Sequence, residues 1–205
     1  MATEAGHTLR LDAIVLAAGL GSRFGGRKLT SPWRGGRLID GALGAALAAP
    51  VREAVVVTGA DAEVEEAVAA FGVGGDHARL RTVYAPDHRL GMAASLTTGI
   101  AALSADCDGV FVFLGDMPLV PPDIPPKLAE ALAAGALAAA PAFEGRRGHP
   151  VLFWRGLFPA LAVLTGDEGA REVLSGLGAR LAIVTTSNPG ILLDVDAPGD
   201  LDALG

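Results

Sequence analysis

Cysteine is nearly absent from this 205-residue chain. The single Cys107 excludes an intrachain disulfide and a cysteine-rich metal site. It stands between acids in Asp106-Cys-Asp108, which argues against a low-pKa nucleophile and for a packing role. Histidines are few and scattered: His7, His77, His88 and His149 show no paired ligand spacing. Aromatics make up only 5% and the formal net charge is -7, a poor match to general nucleic-acid binding. No apolar run approaches the ~20 residues that span a bilayer. Met1 to Arg10 lacks a basic-then-apolar signal layout, so a cytoplasmic chain with no membrane partner is expected. The positive mean hydropathy of +0.43 reflects abundant alanine and valine. There is no repeat and no charged tail. A chain of this length forms one domain, residues 1–205, burying about 70% of its unfolded surface, with 1–10 expected to be flexible.

One absence is local. From Ala13 to Ile39 there is no Asp or Glu, yet Arg23, Arg27, Lys28, Arg34 and Arg37 all fall there. An apolar run, Leu11 to Leu16, empties into the glycine-rich stretch Ala17-Ala-Gly-Leu-Gly-Ser-Arg-Phe-Gly-Gly-Arg-Lys28. Glycines let backbone N–H groups converge on an anion, and flanking cations neutralise it. Two familiar phosphate loops do not fit. The dinucleotide fingerprint needs a third glycine where Phe24 stands, and the Walker A pattern needs Lys-Ser/Thr where Arg27-Lys28-Leu29 stands. What remains is a strand, a small-residue turn and two well-placed cations, Arg23 and Lys28, pointing to a polyphosphate site.

Apolar β-branched runs alternate with helical patterns along the rest of the chain. Strands are expected at Leu11–Leu16, Ala54–Thr58, Leu80–Tyr84, Val110–Leu114, Leu137–Ala142, Val151–Trp154 and Ala182–Thr186. Helices are expected at Leu38–Ala49, Ala62–Phe71, Met92–Ser104, Pro125–Ala134, Phe158–Leu164, Ala170–Leu177 and Pro198–Leu204. This rhythm predicts an α/β fold with a mostly parallel, doubly wound sheet and right-handed crossovers. Ligands of such sheets sit beyond the carboxyl ends of the strands.

The chemistry-bearing residues do fall just after strands. Asp116 follows Val110-Phe-Val-Phe-Leu114, with Gly115 permitting close approach and Pro118 fixing the turn. Asp194 and Asp196 share a face under period-2 alternation, and one of them could close the site from the other side. Asp196 could instead cap the final helix, with Pro198 in its first turn. Two carboxylates facing a polyphosphate suggest Mg2+, which takes one or two carboxylates plus phosphate oxygens. Gly91 and Ser95 open a helix where a flat base or ribose could approach. Arg146-Arg-Gly-His-Pro150 is a compact cationic turn and a second anion contact.

These segments occur in one order: Leu16-Ala-Ala-Gly-Leu-Gly-Ser-Arg-Phe-Gly with Lys28, Pro32-Trp33, Gly91-x-x-x-Ser95, Gly115-Asp-Met-Pro118, Gly148-His-Pro150 and Asp194-Val-Asp-Ala-Pro198. Together they resemble the nucleotidyltransferases of molybdenum cofactor maturation, in particular the CTP:molybdopterin cytidylyltransferase branch. The resemblance covers nearly the whole chain and implies a Rossmann-like nucleotidyltransferase fold. It implies that Leu16, Ala17, Ala18, Gly19, Gly21, Ser22, Arg23, Lys28, Gly91 and Ser95 bind the nucleotide. Arg23, Lys28 and Asp116 would be catalytic, Asp116 and Asp196 would hold Mg2+, and Gly148, His149 and Pro150 would face the pterin. The implied reaction moves CMP from CTP to the terminal phosphate of the molybdenum cofactor. A recipient molybdoenzyme is a further implied partner. The Ala-Ala-Gly start and the Pro-Trp pair resemble the cytidylyl branch; Thr30-Ser31 and Ala197 depart from its usual pattern. Alternatives are a guanylyltransferase, a sugar- or polyol-phosphate nucleotidyltransferase, and a non-catalytic cofactor carrier. A dinucleotide oxidoreductase is disfavoured by the misplaced third glycine.

Overall fold

The structure is a computed structural model that describes residues 8–19, 21, 24–59, 61–71, 77–166 and 170–204. Its elements run β1 (Leu11–Ala17), β2 (Pro32–Trp33), β3 (Gly36–Arg37), α1 (Leu38–Ala48), β4 (Ala54–Thr58), α2 (Glu63–Phe71), β5 (Leu80–Tyr84) and α3 (Met92–Ala101). They continue with β6 (Gly109–Leu114), α4 (Ile124–Ala133), β7 (Ala138–Phe143), β8 (Arg146–Arg147), β9 (Val151–Trp154), α5 (Phe158–Leu161), α6 (Arg171–Ser175), β10 (Leu181–Thr185) and α7 (Pro198–Leu204).

The main sheet has the order β10-β7-β9-β6-β1-β4-β5, with β8 paired to β7. β1 lies at its heart, parallel to β4 on one side and β6 on the other. The central strands are apolar throughout because both faces are covered: all of β4 is buried, as is nearly all of β1 and β6. The edge strands β5 and β10 carry alternating exposure instead. Period-2 alternation divides the core into two layers. Ala13, Val15, Phe111 and Phe113 face α1, α2 and α4, whereas Ile14, Val110 and Val112 face α3, α5 and α6. The sheet is therefore doubly wound.

Two strands break the parallel rule. The short β8 runs antiparallel to β7. β9 runs antiparallel to both β6 and β7. Only residues 144–150 join β7 to β9, and a parallel return needs a crossover of a dozen or more residues. Glu144 and Gly145, at φ +48° and +77°, make the tight turn from β7 into β8. A second small feature absent from the periodicity is the β2–β3 hairpin. Arg34 and Gly35 both have positive φ there, which suits a two-residue hairpin turn.

The amino ends of the central strands are locked by an ionic network. Asp12, wholly buried in β1, accepts two bonds from Arg52 at 2.9 and 3.0 Å. Arg52 also binds Asp106, and Arg10 binds Asp108 and Asp106. The backbone N–H of Arg10 donates to Asp108 as well, so the expected flexible segment is pinned at its last residue; residues 1–7 lie outside the described residues. Two cavities lie at the opposite, carboxyl ends of the central strands.

Candidate active site

The carboxyl ends of β6, β1, β4 and β5 stand side by side in that order. Past β1 the chain turns sharply. Gly21 has φ +57°, and its carbonyl accepts the N–H groups of Phe24 and Gly26 at 3.0 and 3.1 Å. A Cβ at Gly21 would lie 3.4 Å from Cβ of Lys28, so the glycine lets the lysine lie against the turn. Past β6, the N–H of Gly115 donates to the carbonyl of Leu16 at 2.9 Å and extends the β1–β6 ladder by one bond. That bond delivers Asp116 over the crevice. Lys28 Nζ reaches Asp116 Oδ2 at 2.6 Å, although 88 positions separate them in sequence. The two side chains are only 14% and 24% exposed, so this pair is shielded more than a surface ion pair.

The α7 end of the chain closes against the same turn. The N–H of Val195 donates to the carbonyl of Asp116 at 3.1 Å, and the Val195 side chain is buried. Asp194 and Asp196 flank it and are exposed. The cap of α7 falls to Asp200: its Oδ2 accepts the N–H groups of Asp196 and Ala197 at 2.8 and 2.7 Å. These bonds, aided by nearby Lys28, hold the Asp200 carboxyl below its ordinary pKa. Asp116, Asp194 and Asp196 are the oxygen donors that could hold a hard cation. Among the described residues no cluster of three or more His, Cys, Asp or Glu could do so alone.

Two cavities adjoin across Leu16, Met92 and Leu114. The first, about 380 Å³, is lined by Ala18, Gly19, Gly21, Arg27, Lys28, Gly91, Ser95 and Asp116 together with Asp61, His88 and Arg89. The second, about 590 Å³, is lined by Val112, Arg147, Gly148, His149, Phe153 and Arg171, among others. Its floor is apolar and its rim cationic. A Cβ at Gly148 would strike the carbonyl oxygen of Ile191, and the His149–Pro150 peptide is cis. His149 Nδ1 sits 3.4 Å from the carbonyl of Val112. Burial pushes its imidazole below the ordinary pKa, only partly offset by that bond and by Asp116 and Asp194. This favours the neutral ring over an anion-binding charge at His149.

Most residues singled out in the sequence meet here. Leu16, Ala18, Gly19, Gly21, Lys28, Gly91, Ser95 and Asp116 share the first cavity, and Gly148 and His149 face the second. Ala17 does not line either cavity; strand alternation turns it into the α1 side of the core. Pro150 is buried behind His149 and lines neither. Asp196 lies beside the site rather than in a cavity wall. Ser22 and Arg23 lie outside the described residues. The sequence reading did not single out Asp61, His88 and Arg89 for the site. Asp61 and His88 follow β4 and β5 just as the glycine turn and Asp116 follow β1 and β6, and strand-end position was the signal that could have found them.

Residues 13–182 match the family described as MobA-like NTP transferase domain. The molybdenum cofactor cytidylyltransferase of Escherichia coli K12 is 28% identical over 93% of each chain. The purine catabolism protein PucB of Bacillus subtilis is 31% identical over 94% of each. The molybdenum cofactor guanylyltransferase of Cereibacter sphaeroides is 30% identical, also over 94% of each. Among solved structures, a nucleotidyl transferase from Methanothermobacter thermautotroptrophicus superposes with a TM-score of 0.77 at 27% identity, covering 95% of both chains. A glycine-cation turn facing a strand-end aspartate is what such an enzyme needs, and the chain belongs to the MobA-like NTP transferase family and is a nucleotidyltransferase.

Proposed function

We propose that this enzyme transfers CMP from CTP to the terminal phosphate of molybdopterin in the molybdenum cofactor, with Mg2+, and releases pyrophosphate. The observation that carries the reading is the pair of adjoining cavities, with Lys28 and Asp116 in the wall of the first and His149 in the second. A triphosphate fits the glycine-cation turn, and a flat apolar ring system bearing an anion fits the larger cavity with its Arg147 and Arg171 rim. The Ala17-Ala-Gly19 start and Pro32-Trp33 support cytosine over guanine.

The acceptor phosphate oxygen attacks the α-phosphorus and a new P–O bond forms. The bond from the α-phosphorus to the bridging oxygen breaks, and its electron pair leaves with pyrophosphate. The acceptor is already an anion at neutral pH, so the protein has to position it rather than deprotonate it. This agrees with a His149 whose neutral form is favoured and with a second cavity that has no carboxylate among the described residues lining it. Lys28 sits where negative charge grows on the leaving group, and Arg23, which lies outside the described residues, is assigned the same task from its place in the sequence. Gly91 and Ser95 bound the nucleoside, and Gly148 leaves room for the pterin. Asp116 with Asp194 or Asp196 provides an all-oxygen donor set short of a full shell, which fits a cation completed by phosphate oxygens and water. Bound there, Mg2+ would supply Lewis-acid screening of the phosphates.

A pyrophosphate-release assay with CTP, GTP, ATP and UTP, each with and without molybdenum cofactor, tests this. Release that needs both CTP and the cofactor is expected. Release with GTP instead would move the enzyme to the guanylyl branch, and a sugar phosphate replacing the cofactor would reject the pterin.

A further inference from the structure

Two polar atoms in the wall of the nucleotide cavity lack a partner, and the reaction above uses neither. Asp61 Oδ1 accepts the N–H of Glu63 at 3.0 Å and so starts α2, but Asp61 Oδ2 is buried with no hydrogen bond. His88 Nδ1 lies 2.9 Å from the carbonyl oxygen of Ala85. A carbonyl only accepts, so Nδ1 holds the proton and, in the neutral ring, Nε2 is a bare acceptor. It too is buried and unpaired. The ring is well fixed. It stands edge-on to Tyr84 at 6.0 Å between centroids, and a Cβ at Gly59 would come within 2.9 Å of its Cγ.

Both side chains line the cavity while the two atoms are withheld from water, so an occupant of the cavity is the group placed to partner them. Burying a polar atom without a partner is costly, and a ligand that supplies the missing hydrogen recovers the cost. Both missing partners are donors. Phosphate oxygens cannot supply them. Position points to the base. Asp116 ends β6, whereas Asp61 and His88 follow β4 and β5, about 10 and 14 Å further along the sheet at ordinary strand spacing. A ribose attached to the α-phosphate stops short of that, and the far edge of a nucleobase does not.

We propose that Asp61 Oδ2 and His88 Nε2 form an acceptor pair that reads the exocyclic amino group of the nucleobase. The pair selects amino-bearing bases over oxo-bearing ones. This rests on the nucleotidyltransferase reading and deepens it, because cytosine offers the two N–H bonds of one amino group where uracil offers an oxygen.

Asp61→Asn is the sharp variant. Asn also serves as a helix cap, so Oδ1 keeps the Glu63 bond and the amide NH2 falls at the former Oδ2 position. The acceptor becomes a donor with little change in shape. Calorimetric titration of wild type, Asp61→Asn and His88→Phe with CTP, UTP and 2′-deoxy-CTP is the experiment, with inorganic tripolyphosphate as probe of the phosphate cradle. The CTP:UTP affinity ratio should fall about 10-fold or more in Asp61→Asn and several-fold in His88→Phe. Tripolyphosphate binding should stay within about 2-fold. If the wild type prefers GTP, the cytidylyl reading fails while the pair is still tested, on the ratio of GTP to inosine triphosphate, which lacks the amino group. Unchanged ratios in both variants overturn the proposal. So does a change confined to CTP against 2′-deoxy-CTP, which would assign Asp61 to the ribose, and so does an equal loss for every ligand including tripolyphosphate.

Discussion

The proposed chemistry rests on Lys28 and Asp116, which meet in a single 2.6 Å contact. Asp116→Asn keeps the shape and removes the charge. We expect kcat to fall by roughly 10²-fold or more with unfolding midpoint and circular dichroism near wild type; wild-type-like turnover would take Asp116 out of the reaction. Lys28→Met should raise KM for the nucleotide, and an unchanged KM would make the lysine a bystander. Cys107 illustrates the opposite case. Burial pushes its thiol up to about 12, and its Sγ donates to the carbonyl of Gly109 at 3.2 Å. A thiol reagent at pH 8 should therefore leave the folded protein unlabelled and modify it fully in denaturant; rapid labelling of the native protein would contradict the buried placement. Lys28 and Asp116 were legible in sequence because each ends a feature with its own signature, a cation-rich glycine turn and an apolar strand. Asp61 and His88 were not. Asp61 reads as a plain helix start and His88 as an isolated histidine, and only the sheet order brings both to the first cavity.

Elements hold the site through close contacts that glycine makes possible. A Cβ at Gly41 on α1 would come within 2.5 Å of Pro118 Cβ, so the helix backs directly onto the turn that carries Asp116. Gly41→Ala should cost about 1–3 kcal/mol in urea unfolding and also lower kcat. Loss of stability without loss of rate would mean that α1 does not position Asp116. The alternation of strands and helices was readable from periodicity, and α4 stops just before Gly135, whose φ of +102° ends it. The antiparallel β9 was not, because its apolar run looks the same in either direction. Chain length between strands decides it, through the short connection over residues 144–150. Helices α3, α5 and α6 end earlier than their hydrophobic patterns because those patterns continue into turns that still pack on the core.

At the scale of the molecule, charge is sorted to the two ends of the sheet. The amino ends carry the Arg10, Arg52, Asp12, Asp106 and Asp108 network, and the carboxyl ends carry the ligand crevice. Hydrogen bonds from Ser104 and Arg52 hold the Asp106 carboxyl below its ordinary value, and Asp200 is lowered by its backbone bonds. A carboxyl depressed on folding stabilises above its unfolded pKa of about 3.9, and that contribution disappears as pH drops through the lower folded value. His149 is also depressed on folding, so its contribution is present above about 6.5 and shrinks as the pH falls below it. The thermal midpoint should be level from pH 7 to 8, decline gently below about 6.5 and drop steeply below about 4. Asp106→Asn should soften the second fall, and an unaltered acid profile in that variant would remove Asp106 from the account.

The most direct measurement is the mass of the molybdenum cofactor after incubation with the wild-type enzyme, CTP and Mg2+, alongside quantified pyrophosphate. The account predicts a gain of one CMP residue per pyrophosphate released, and no gain with Asp116→Asn. A cofactor of unchanged mass, with no cofactor-dependent pyrophosphate from any of CTP, GTP, ATP or UTP, would contradict it.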